Sequence, residues 1–132
     1  MKRDIADEAF SNCLRAAHDH TCEMCGKQGR MECSHVFSRR HMSVRYDKLN
    51  ANCLCNGCHR KWHESPLGAA DWFIETFGTG RWNLLSEKKA TIAKGIKAQK
   101  KSIAKHYRDE LKSIEQQRAD GVTGYIDFVS YQ

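Results

Sequence analysis

Apolar residues return at steps of three and four through residues 3–18, RDIADEAFSNCLRAAH. Ile5, Ala9, Phe10, Cys13, Leu14 and Ala17 fall on one face, which predicts an amphipathic helix. Cys13 lies on that apolar face and reads as an inert buried thiol. The period is lost at Cys22-Glu-Met-Cys25-Gly26, a tight knuckle. RMECSHVF then places Met31, Cys33 and Val36 in a short strand ending near His35, and residues 38–49 are polar and basic, a loop. Asn50 to Leu54 predicts a second short strand. From Cys58 to Glu64 a helix starts, with His59 and His63 four apart on one face, and Ser65-Pro66 ends it. AADWFIETF, residues 69–77, predicts another helix, broken by Gly78-Thr-Gly80. Trp82, Leu84 and Leu85 read as a short apolar turn, and Ser86 as an N-cap. One long helix is then expected over 87–118, with a stripe of Ile92, Ile96, Ile103, Tyr107, Leu111 and Ile114, weakened locally by Gly95. Asp120-Gly121 stops it. The tail YIDFVSYQ alternates, as an edge strand or an ordered arm would.

The elements sum to an α+β chain. A small core of two strands and a helix is flanked by an N-terminal helix and by C-terminal helices, one of them long and basic. A boundary near residue 68 divides a cysteine-rich core, 1–68, from a helical extension, 69–132, within one compact unit. At 132 residues, 40% hydrophobic and 29% charged, the composition is that of a folded domain with a modest core that bound metal would reinforce. No apolar run reaches the eighteen or so residues of a membrane span, and MKRDIADEAF lacks the apolar stretch of a secretory signal. A cytoplasmic chain in a reducing compartment is the expectation. Seven cysteines there, an odd number, read as metal ligands rather than disulfides. The net charge of +6 is unevenly placed: residues 87–118 carry ten Lys or Arg against four acids, and the rest balance at twelve of each sign. A basic helix suits a polyanion such as nucleic acid, and Lys97, Lys101 and Lys105 are its candidate contacts. An ordinary solvated lysine-rich face has the same pattern.

Cys22, Cys25, Cys55 and Cys58 give C-x2-C-x29-C-x2-C, two knuckles able to supply four soft ligands to a structural Zn2+ in a tetrahedron. Cys53 in a C-x-C is less suited to a knuckle, so Cys53 and Cys33 are assigned to the core. Inside this frame lie His35, Asn50, His59 and His63, separated by fifteen, nine and four residues.

This constellation resembles the HNH nuclease family, built on a ββα-metal finger, and NANCLCNGCHRKWH is similar to that family's N-x4-C-x2-C-H ending. The likeness spans about a third of the chain. CEMCG, SHVFSR, RYDKLN and CNGC further resemble the phage NinG/Rap recombination nucleases, as does FIETFGTGRWNLL followed by a charged helix. The resemblance implies a zinc-stapled HNH finger and structure-specific cutting of branched or junction DNA, in a bacterial host's cytoplasm if phage-encoded. It implies that His35 is the general base, held in orientation by Asn50. It implies that His59 and His63 hold one divalent cation, Mg2+, Mn2+ or Ni2+, and that the products are 5′-phosphate and 3′-hydroxyl. Arg39, Arg40 and Arg45, on the loop, could grip phosphates bidentately.

One position departs from that pattern. Ser34 stands where the family carries a metal-binding Asp or His, and a hydroxyl is a poor ligand. Glu32, on the same strand face by alternation, is a substitute. Two other readings stay open: a non-catalytic zinc module that binds nucleic acid, and a sequence-specific restriction-like or homing-like nuclease. The long helix's stripe could also pair with a second copy of the chain.

Overall fold

The computed structural model describes residues 2–132. Five helices surround a two-stranded antiparallel sheet. Helix α1, Ile5–Ala17, opens on a reciprocal cap: the Asp4 carboxylate accepts from the Asp7 amide, and the Asp7 carboxylate from the Asp4 amide. Strands β1, Met31–His35, and β2, Ala51–Cys55, pair from Met31 opposite Cys55 to His35 opposite Ala51. Helices α2, Asn56–Glu64, and α3, Pro66–Phe77, meet at Ser65, whose hydroxyl accepts from the Gly68 amide. Helix α4 covers Thr79–Lys89 and α5 Lys100–Ala119. Among the described residues no helix is long and apolar enough to cross a membrane.

The sheet is a divider. Cys33 packs into the cluster under α1, and His35 sits 6.2 Å from the Phe10 ring. On the opposite face Glu32 reaches α2. Glu23, from the first knuckle, closes the far edge of β2: its amide donates to the Cys53 carbonyl at 2.8 Å, and its carboxylate accepts from the Cys53 amide at 2.7 Å. The Cys53 main chain therefore points away from β1, and Cys33–Cys53 is a non-hydrogen-bonded pair. The Cys33 main chain in turn points toward β1's open edge.

Two expectations about the C-terminal half need correction. Trp82, Leu84 and Leu85 lie within a full helix, α4, and Ser86 is inside it rather than at a cap. The 87–118 helix is broken. Gly95 adopts φ +77°, a left-handed turn, and a 3-10 turn at Ile96–Gln99 leads into α5. Ile92 leaves the stripe and is 82% exposed. The rest of the stripe turns onto α1, where Ile103, Tyr107 and Ile114 are buried and Tyr107 meets Phe10 edge-on at 4.9 Å. That seam is intramolecular: α1 occupies the stripe. The tail is an ordered arm: Ile126 and Phe128 are buried, and the Ile126 amide bonds the Ala17 carbonyl.

Two clusters result, and the boundary at residue 68 does not separate them. One joins α1, α5 and the arm. The other joins the cysteine knuckles to α2, α3 and α4. A buried ion pair ties α1 to the loop between the strands. Arg45, expected on the surface as a phosphate contact, is 4% exposed, and its guanidinium holds the Asp7 carboxylate at 2.5 and 2.9 Å. It is scaffold. Beside it, burial works against the charge of Asp4, but Lys100, the Asp7 amide, Tyr46 and Arg45 outweigh burial and hold its carboxyl well below the usual range. Asp7→Ala leaves Arg45 buried without its main partner and is expected to cost about 3–5 kcal/mol in chemical denaturation; a loss below about 1 kcal/mol would show the pair to be dispensable.

Candidate functional site

The first knuckle forms because Gly26 takes φ +78° and lets its own amide bond back to the Cys22 carbonyl, while the Cys25 amide points at the Cys22 sulfur, 3.5 Å away. The second repeats this at the start of α2, where the Cys58 amide points at the Cys55 sulfur at 3.5 Å and Cys55 serves as the helix N-cap. The four sulfurs lie within 4.8 Å of one another, with Cys25 and Cys55 3.7 Å apart. Four sulfurs held about 2.3 Å from one zinc in a tetrahedron are about 3.8 Å apart, so the cluster has the shape to hold that ion. Two of its thiols are shifted in opposite directions. Burial opposes ionisation of Cys22, but amide donors around it win and bring it down to about 7. Burial and the three neighbouring sulfurs push Cys58 up to about 12. Cys33 and Cys53, the core thiols, are both pushed up to about 12, chiefly by burial.

A cleft of about 980 Å3 runs along the open edge of β1, with α1 on one side and α2 on the other. His35, His59 and His63 all line it, and so does Glu32. The imidazole of His35 faces the Arg45 carbonyl through Nε2 at 3.1 Å. A carbonyl only accepts, so Nε2 carries the proton and Nδ1 the lone pair. Burial pushes the ring's pKa down to about 4, which keeps it neutral at physiological pH. Asn50 does not touch that ring. It is fully buried and clasps the loop, its Nδ2 donating to the Phe37 and Val44 carbonyls and its Oδ1 accepting from the Phe37 amide. Asn50 thus shapes the turn that presents Arg45 to His35.

On α2, His59 Nδ1 lies 2.6 Å from Glu32 Oε1, and His59 Nε2 lies 3.0 Å from His63 Nε2. The hydrogen bond from His59, with a second from Asn56, lowers the Glu32 carboxyl below its ordinary value. With Nδ1–H given to Glu32, His59 turns a bare Nε2 toward His63. Glu32 therefore orients His59 rather than replacing Ser34 as a ligand. Ser34 itself is fully buried, lines no part of the cleft, and its hydroxyl has no partner among the described residues. It cannot serve as a metal ligand there, because β1 turns it into the interior.

The basic residues are redistributed relative to expectation. Arg39 lines the cleft, 3.5 Å from Asp7. Arg40 is exposed but outside the cleft wall. Lys97, Lys101 and Lys105 are also exposed, yet none borders the cleft, and Lys105 pairs with Asp109 at 2.6 Å. The cleft's other cations are Arg3, Arg15 and Arg30. Sequence reasoning missed them because charge was summed by segment. For Arg15 the available signal was its four-residue spacing from Ser11 and Asp7 along α1.

No protein-family model matches the chain, and no curated protein or solved structure matches it either.

Proposed function

We propose that the chain is a metal-dependent DNA endonuclease of the HNH type, stapled by a structural zinc on Cys22, Cys25, Cys55 and Cys58. The observation that carries the reading is the convergence of His35, His59 and His63 on one arginine-lined cleft, with the tautomer of His35 set by the Arg45 carbonyl. In this reading Nδ1 of His35 takes a proton from water, and the resulting hydroxide attacks phosphorus in line. The P–O3′ bond breaks and the departing O3′ takes up a proton from solvent water, leaving a 5′-phosphate and a 3′-hydroxyl. His59 and His63 would hold one divalent cation, and imidazole ligands suit Mn2+ or Ni2+ better than Mg2+. A cation so placed supplies neutralisation of charge on the phosphate and the departing oxygen. Branched recombination intermediates are the substrate that the resemblance to the NinG/Rap nucleases favours.

Glu32 is a positioning residue in this scheme. Glu32→Gln is expected to weaken Mn2+ activation about 10- to 100-fold while zinc content stays unchanged. A titration of cleavage against Mn2+ reads this directly, and an unaltered midpoint would remove Glu32 from the scheme.

One observation favours a second reading, a zinc-stapled module that binds nucleic acid without cutting it. Ser34 is withdrawn from the cleft, which leaves two imidazoles as protein ligands for a cation. Incubation with junction and linear DNA, with and without Mg2+ or Mn2+, separates the two. Cation-dependent products map the enzyme; binding without products identifies the module.

A further inference from the structure

We propose that the face of α1 lining the cleft is a phosphate-binding rail for the DNA backbone, with Arg15 at its centre and Arg3 and Arg30 beside it. Arg3, Asp7, Ser11 and Arg15 stand four residues apart and all line the cleft. Asp7 does not neutralise the row, because Arg45 occupies it at 2.5 Å. The half-buried Arg15 is instead held by neutral acceptors on its own helix: Nη1 donates to Ser11 Oγ at 2.5 Å, and Nη2 donates to Asn12 Oδ1. Among the described residues no carboxylate lies within ion-pair distance of Arg3, Arg15 or Arg30, whereas Arg39, Arg45 and Arg118 have such partners.

A guanidinium fixed in place yet left with its full charge contributes little to stability, but it is preorganised for an oxyanion. Across the cleft floor, the open edge of β1 turns the Cys33 main chain toward the same space, adding an amide donor. Arg15 on α1, with Arg3 just before the helix and Arg30 just before β1, lines the same cleft as the histidines. A strand whose phosphate lies at His35 would rest its neighbouring phosphates on this rail. The lysines of α5 lie outside that cleft and would meet DNA, if at all, at a separate place.

The proposal rests on the nuclease reading for which phosphate is cut, but binding tests it separately. Fluorescence anisotropy of a short labelled DNA duplex is followed over a range of salt without added divalent cation, for the wild-type chain, Arg15→Ala, Arg15→Gln, a double Arg3→Ala/Arg30→Ala variant, and a triple Lys97→Ala/Lys101→Ala/Lys105→Ala variant. Both Arg15 variants are expected to bind about tenfold more weakly, with the salt slope reduced by about one. The double variant should lower the slope by about two. Wild-type affinity and slope in the Arg15 variants and the double variant, with the loss confined to the lysine variant, would overturn the rail; so would a wild-type chain that does not bind the duplex. Thermal melts accompany each variant, and if Arg15→Ala fails to fold, the double variant at two exposed positions decides. Weakened binding in a chain that shows no cleavage with Mg2+ or Mn2+ keeps the rail and removes the nuclease. Cleavage that is indifferent to all three arginines does the reverse.

Discussion

Cys55→Ser is expected to abolish zinc binding at the four-sulfur cluster and to unfold the half of the molecule built on it. Cys55 is the N-cap of α2 and also belongs to the four-sulfur cluster able to hold zinc, its sulfur 3.7 Å from that of Cys25. Structural zinc contributes on the order of 10 kcal/mol to small modules of this kind, comparable to the whole stability of a domain this size. Serine can still cap the helix but is a poor ligand for zinc. All three tryptophans, Trp62, Trp72 and Trp82, belong to the cluster around the knuckles, and none to the cluster between α1 and α5. Tryptophan emission therefore reports the zinc-side half alone. The variant is expected to lose bound zinc and to shift that emission to the red, and a strong chelator should do the same to the wild-type chain. A folded, zinc-free Cys55→Ser protein with native emission would show that the cluster is not a staple.

If the chain is the nuclease proposed above, His35→Ala is expected to lower cleavage about 10²- to 10⁴-fold, the usual contribution of a general base, while duplex binding holds. The ring lies between Phe10 and the Arg45 carbonyl, away from both cysteine knuckles, so its removal should leave zinc content intact. Single-turnover rates on junction DNA give the measurement, with anisotropy as the control for binding. Cleavage at the wild-type rate would exclude His35 as the base, and the assignment would then have to pass to another group in the cleft.

Local chemistry was legible in the chain before its shape was known. The knuckles, both strands and the first helix follow from spacing alone, since each is decided by neighbours within a few residues. His59 and His63 share a face for the same reason. Three judgements went astray where distant residues decide. Arg45 looked like a surface cation, but Asp7 waits for it thirty-eight positions earlier. The 87–118 stripe looked continuous, but the left-handed turn at Gly95 lets α5 lie back along α1, and Ile92 is left outside. Ser34 looked like a weakened ligand, while the strand that carries it buries the hydroxyl. Charge was the subtlest case. A segment that sums to zero still sorts arginines to one side: α1 turns Arg15 into the cleft, and Arg3, Arg30 and Arg39 reach it from the segments outside that helix.

The pairing of α1 with α5 also sets an order of assembly. The four cysteines fall within residues 22–58, so the zinc-side half can close on contacts that are near in sequence. Helix α1 leaves the ribosome before any of them, yet the surface it needs, Ile103, Tyr107 and Ile114, is synthesised about a hundred residues later. Non-local contacts of this kind form slowly because a long loop must close first. Until α5 emerges, Phe10, Leu14 and their neighbours present a bare apolar face, and such faces invite misassociation. The nascent chain is thus most vulnerable at its first helix, and refolding from denaturant should show a fast tryptophan phase followed by a slower gain of helix.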